Sequence, residues 1–99
     1  MNDGPIVTKA AVSAGPDSGY LSAAWLVQAR VADAHFDLTQ QAHFLDESIS
    51  STEAARAVAA TDRERAGCAG ALGSRLLSRY TLRGNPADLD ASIANIQRA

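Results

Sequence analysis

The chain is short of the residue types that would fix most other architectures. It has a single cysteine, Cys68. That excludes an intramolecular disulfide and leaves no pair of thiols at zinc-ligand spacing, so a reducing cytoplasm is the simplest compartment. Aromatic residues make up only 5% of the chain, which suits close helix packing better than a β-sandwich, whose strands favour aromatic and β-branched side chains. Lys9 is the only lysine and the formal net charge is −2, so there is no basic footprint for nucleic acid. No apolar run approaches the roughly 18 residues that a membrane span requires. Residues 1–15 lack the basic-then-apolar order of a signal peptide, with Lys9 inside their mildly apolar stretch, and are expected to form a mobile tail. Neither a glycine-rich phosphate loop nor a Ser/His/Asp set is present.

What is abundant is alanine. Hydrophobic residues reach 46% and charged residues 20%, a globular composition sufficient for one modest core. Alanine has the best helix propensity and lets helices approach closely, so the expected fold is all-α. The strongest pattern is internal. Phe36 and Tyr80, Leu45 and Leu89, and Ile49 and Ile93 each stand 44 positions apart. A period between about 20 and 50 residues is the signature of stacked repeats. The expected organisation is a tail over 1–15, a degenerate first repeat over 16–60 and a second over 61–99.

Punctuation and periodicity place four helices. The first is expected over about 18–36, capped by Asp17 or Ser18, with Leu21, Trp25, Ala29, Ala32 and Phe36 inward. The second is expected over about 42–59, with Leu45, Ile49, Thr52 and Ala55 on one side. Thr61-Asp62-Arg63-Glu64 fits a capping box at the start of the third. Its inward stripe is Ala69, Leu72, Gly73, Leu76 and Tyr80, and Gly84 should close it in the left-handed conformation. Asn85-Pro86 then caps and opens the fourth, which is expected to turn Leu89, Ile93 and Ile96 inward. Thr39-Gln40-Gln41, the matching turn of the first unit, has neither Gly nor Pro. Connections this short make each half an antiparallel helical hairpin.

Leu76-Leu77-Ser78-Arg79-Tyr80, Gly84-Asn85-Pro86-Ala87-Asp88-Leu89-Asp90 and Ser92-Ile93 together resemble the tetratricopeptide-like repeats of actinobacterial multi-repeat proteins, many of which carry a caspase-like CHAT peptidase domain. The match covers about 25 residues, from 72 to 96, and is weaker over 25–49. Asn85 stands where the family has an acidic residue and Ser92 where it has a small alanine. Ala29 and Gly73 occupy the small position of the general repeat pattern, where a hairpin's helices come close. The resemblance implies two antiparallel helical hairpins acting as a protein-interaction scaffold. It implies no peptidase activity, because this chain contains no peptidase domain.

The polar constellations are each open to two interpretations. Arg75, Arg79 and Arg83 follow one another at i, i+4 and i+8 and could grip an acidic partner through charge-assisted bonds. The simpler role is a solvated face whose cations complement the helix dipole. His43, Asp46 and Glu47 have spacing that could serve a metal, or form a solvated cluster near a helix start. Cys68 with His35 or His43 could make a nucleophile–base pair, although a small packing residue is the simpler role. Trp25 could anchor a partner or fill the hairpin core.

The expected function is therefore non-enzymatic binding without a cofactor, as a small adaptor or the repeat segment of a larger regulatory protein. Stacked repeats usually need about three units and a polar cap, and here Ile93 and Ile96 fall in the last helix. The fourth helix and the stretch 76–80 are expected to pack on another chain, either a copy of this one or a helical partner. Arg75, Arg79, Arg83, Leu89, Ile93 and Ile96 are the candidate contact residues. The competing expectations are a metal- or ligand-dependent enzyme or sensor built on His43, Asp46, Glu47 and Cys68, and a fragment of a longer array with no separate function.

Overall fold

The computed structural model describes residues 20–99. They form four α-helices: α1 (Tyr20–Thr39), α2 (Ala42–Ala57), α3 (Asp62–Arg83) and α4 (Pro86–Arg98). Each helix packs on the next along the chain, giving the hairpins α1–α2 and α3–α4 with α2 against α3 between them. The all-helical expectation holds. The expected tail and the Asp17 or Ser18 cap lie outside the described residues.

Local chemistry accounts for the boundaries. Thr61 caps α3 by accepting from the Glu64 backbone N–H at 3.1 Å. The Glu64 carboxylate accepts in return from the Ala60 N–H, also at 3.1 Å, one residue before the position an ideal capping box uses. Asn85 caps α4 through the Ala87 N–H, and Pro86 fills the first turn. Gly84 ends α3 at φ 72°, its N–H donating to the Tyr80 carbonyl.

The first hairpin turn corrects the sequence expectation. Gln40 adopts φ 56°, the only positive φ of a non-glycine among the described residues. Its N–H donates to the Phe36 carbonyl at 2.7 Å, the same left-handed closure that Gly84 makes. Helix α1 consequently runs to Thr39, three residues beyond the expected end, and Gln41 caps α2 without a side-chain bond. The last turn of α2 stops at Ala57 instead of 59.

Leu45 and Ile49 of α2 meet Leu72 and Leu76 of α3, with Phe36 and Ala91 packed against them. A fully buried aliphatic side chain contributes about 1.5–3 kcal/mol, so these four residues are the principal apolar tie between the hairpins. Small residues close the remaining gaps: Ala24, Ala29 and Ala32 of α1, Ala55 of α2, and Ala69 of α3 are buried. Trp25 is only partly buried, as are Leu21 and Phe36. No helix among the described residues is long and apolar enough to cross a membrane.

Candidate interaction surface

Helix α4 is built the reverse of what its apolar residues suggest. Asp88, Ser92 and Asn95 form its buried face, whereas Ile93 is 48% and Ile96 52% exposed. Leu89 is partly buried. The expectation that Leu89, Ile93 and Ile96 turn into the core is thus overturned at Ile93 and Ile96 and met only in part at Leu89, and the reason is polar satisfaction. Ser92 Oγ donates to the Gly73 carbonyl at 2.6 Å. Asn95 Oδ1 accepts from Arg56 Nη1 at 2.6 Å, while its Nδ2 donates to the Ala91 carbonyl. Asp88 accepts from Arg79. A buried polar group with partners costs little, and no buried side-chain nitrogen or oxygen among the described residues lacks one.

The arginine stripe works inside the chain. Arg75 Nη2 lies 2.5 Å from Asp33 Oδ2. Its Nε donates to Ser48 Oγ at 2.6 Å, and Ser48 Oγ donates to Asp33 Oδ1 at 2.5 Å. Arg79 bridges Asp88 of α4 and Asp46 of α2. Arg83 adds a second contact to Asp46 at 2.8 Å. The three guanidiniums therefore run as a ladder from α3 to the other three helices, which neither of the sequence interpretations contains. Asp33 was missed as a partner because Arg75 lies 42 positions away and no local pattern links them.

This ladder sets the local ionisation. Burial raises the pKa of Asp46, but hydrogen bonds and charge attraction from Arg83 and Arg79 outweigh it and hold the carboxyl below its ordinary value of 3.8. Arg79 is pushed further up, mainly by its hydrogen bonds to Asp88. Asp46 accepts three hydrogen bonds from these two arginines. His43 instead stacks on Phe44 with ring centroids 4.0 Å apart, and Glu47 is exposed.

Cys68 is buried beneath the start of α1, its sulfur 3.8 Å from Ser22 Oγ. It precedes Arg79 by 11 positions in α3, about 16 Å along the helix at 1.5 Å per residue. The structure therefore does not gather His43, Asp46, Glu47 and Cys68 into one site. Among the described residues no group of three or more potential metal ligands converges. A cleft between the ends of α2, α3 and α4 is lined by Arg56, Arg65 and Arg98, but Glu53 and Asp62 face them.

A Cβ built on Gly73 would meet Ile96 Cγ1 at 2.6 Å, so Ile96 lies directly over Gly73. Leu77 and Tyr80 follow Gly73 at one-turn steps on α3, and Ile93 and Leu89 follow Ile96 in the opposite direction on α4. Residues three and four apart share a helix face, so Leu77, Tyr80, Leu89, Ile93 and Ile96 line one edge of the second hairpin. Leu77 is 44% exposed. On this edge Asp90 is exposed, and among the described residues no ion pair engages it. In comparison with known proteins, no protein-family model, curated protein or solved structure matches the chain.

Proposed function

We propose that the chain is a non-enzymatic protein-interaction module that binds through the α3–α4 edge. The observation that carries this is the inversion of α4, which keeps three polar residues buried and leaves Ile93 and Ile96 about half exposed. Exposed apolar residues that adjoin one another, rather than standing singly, mark interaction surfaces. The resemblance to tetratricopeptide-like repeats supports the same role, and the lone cysteine suits a reducing compartment.

The internal ladder bears on which of the expected contacts serve a partner. Arg75, Arg79 and Arg83 are engaged by carboxylates of the chain itself, so the partner surface is assigned to Leu89, Ile93 and Ile96 with Leu77 and Tyr80. Light scattering behind a sizing column, over a hundredfold concentration range, tests this with wild type and Ile93→Asp. The expected result is association, with itself or an added helical partner, that the substitution abolishes while the helical circular dichroism persists. Unchanged association would refute the assignment of this edge.

A further inference from the structure

The two hairpins share a register that shows what fits the open edge. Helices α1 and α3 end at Thr39 and Arg83, and α2 and α4 begin at Ala42 and Pro86, each pair separated by 44 positions. In that register Leu45, Ile49 and Phe36 correspond to Leu89, Ile93 and Tyr80. The first set is covered by Leu72 and Leu76 of α3. The difference is large at one position: Ile49 is 3% exposed and Ile93 48%. The first hairpin thus shows the kind of helix that closes such an edge.

The polar positions of the two edges differ in a way that selects the occupant. Arg75 of the covering helix pairs with Asp33, and the register puts Leu77 in the place of Asp33. Arg79 pairs with Asp46, and the register puts Asp90 in that place, conserving the carboxylate. A helix seated on α3–α4 therefore needs leucines where Leu72 and Leu76 stand, an apolar residue where Arg75 stands, and an arginine where Arg79 stands. An arginine at the Arg75 place would be desolvated against Leu77 with no carboxylate to receive it.

From this correspondence we infer that the α3–α4 edge binds an amphipathic helix of a partner chain with apolar residues at i, i+3 and i+4 and an arginine at i+7. A second copy of this chain is a poorer occupant. In the same register its α1 offers Gln28, Val31, Ala32 and His35, of which only Val31 is of the required kind, and Ala32 is already buried. The inference rests on the interaction reading above and names the partner's chemistry.

The test uses the full chain and two labelled synthetic peptides with the sequence of α3, residues 62–83: one unchanged, one carrying R75L. Binding is followed by fluorescence anisotropy up to about 1 mM protein. The R75L peptide is expected to bind wild type at least about tenfold more tightly than the unchanged peptide, a difference of about 1.4 kcal/mol. Leu77→Asp restores the carboxylate of the first hairpin and should reverse that preference. Ile93→Asp should abolish binding of both peptides, and Asp90→Arg should weaken both, while circular dichroism of each variant stays helical. Equal binding of the two peptides, lost on Ile93→Asp, would overturn the stated partner chemistry and leave the edge as the binding surface. Binding that ignores Ile93→Asp, or no binding at all, would overturn the inference and count against the edge itself. A dimer of the protein alone that Ile93→Asp dissociates would also overturn it, in favour of self-association.

Discussion

Arg79 grips Asp88 with two parallel hydrogen bonds, Nε to Oδ2 at 3.0 Å and Nη2 to Oδ1 at 2.9 Å. The Asp88 side chain is 9% exposed and that of Arg79 24%. The pair locks the start of α4 to the end of α3, and the same guanidinium reaches Asp46 of α2. Removing Arg79 would leave a nearly buried carboxylate without its cation. Arg79→Ala is expected to cost about 2–3 kcal/mol, the scale of a lost charged hydrogen-bond pair. Arg83→Ala, at the exposed end of the ladder, should cost less than about 1 kcal/mol. Urea unfolding of the two variants checks the order, and equal costs would contradict the ladder as described.

Two glycines of α3 should respond to alanine with opposite signs. At Gly73 a Cβ would meet Ile96 Cγ1 at 2.6 Å and the backbone carbonyl oxygen of Ser92 at 3.1 Å. The side chain can yield, but the backbone of α4 must shift, so Gly73→Ala is expected to destabilise by about 1–3 kcal/mol. At Gly67 no atom of the described residues lies within 4 Å of that position. Gly67→Ala should therefore stabilise by up to about 1 kcal/mol through helix propensity. Thermal melts of both variants, monitored by circular dichroism, distinguish the two.

Gln40 holds the left-handed conformation without the freedom of a glycine. Its side-chain amide donates to the carbonyls of Phe36 and Asp37 at 3.2 and 3.4 Å, but these bonds are exposed and weak. The left-handed conformation costs a non-glycine residue roughly 1–2 kcal/mol. Gln40→Gly is thus expected to raise stability by about 1 kcal/mol, seen as a higher melting temperature, even after its extra unfolded-state entropy is counted. A lower melting temperature would mean that the Gln40 side-chain bonds outweigh the strain.

The acid limb of the stability curve should report Asp46. Its carboxyl titrates below the ordinary value of 3.8 because Arg83 and Arg79 bond the charged form. A group whose folded pKa is depressed adds stability that is present above the unfolded pKa and is lost as pH falls through the folded one. Stability should therefore fall below about pH 4, and Asp46→Asn should flatten that fall while lowering stability at pH 7. Denaturant midpoints measured at several pH values test both halves. An unchanged acid limb would place the titrating group elsewhere.

Helix content and punctuation were legible in the sequence because they depend on neighbours along the chain. Thr61 with Glu64, Gly84, and Asn85 with Pro86 each act within four residues, and each does in the structure what its chemistry implies. The stripes of α2 and α3 were legible for a related reason. Leu45, Ile49, Leu72 and Leu76 are apolar at helical spacing, and the polar residues buried on the α2 side, Ser48 and Thr52, fall on the same face and so do not turn the helix.

Only the tertiary structure decided which way α4 faces and what the arginines do. Hydrophobicity alone turns Leu89, Ile93 and Ile96 inward, but Asp88, Ser92 and Asn95 each find a partner on α2, α3 or α4 itself and take that face. Arg75 and Asp33 stand 42 positions apart, and Arg83 and Asp46 stand 37 apart. A helix-forming pattern repeats every few residues and can be read along the chain. A charge finds its partner in space, across helices whose approach the chain's local pattern does not encode, and that approach left the apolar edge of α4 outward.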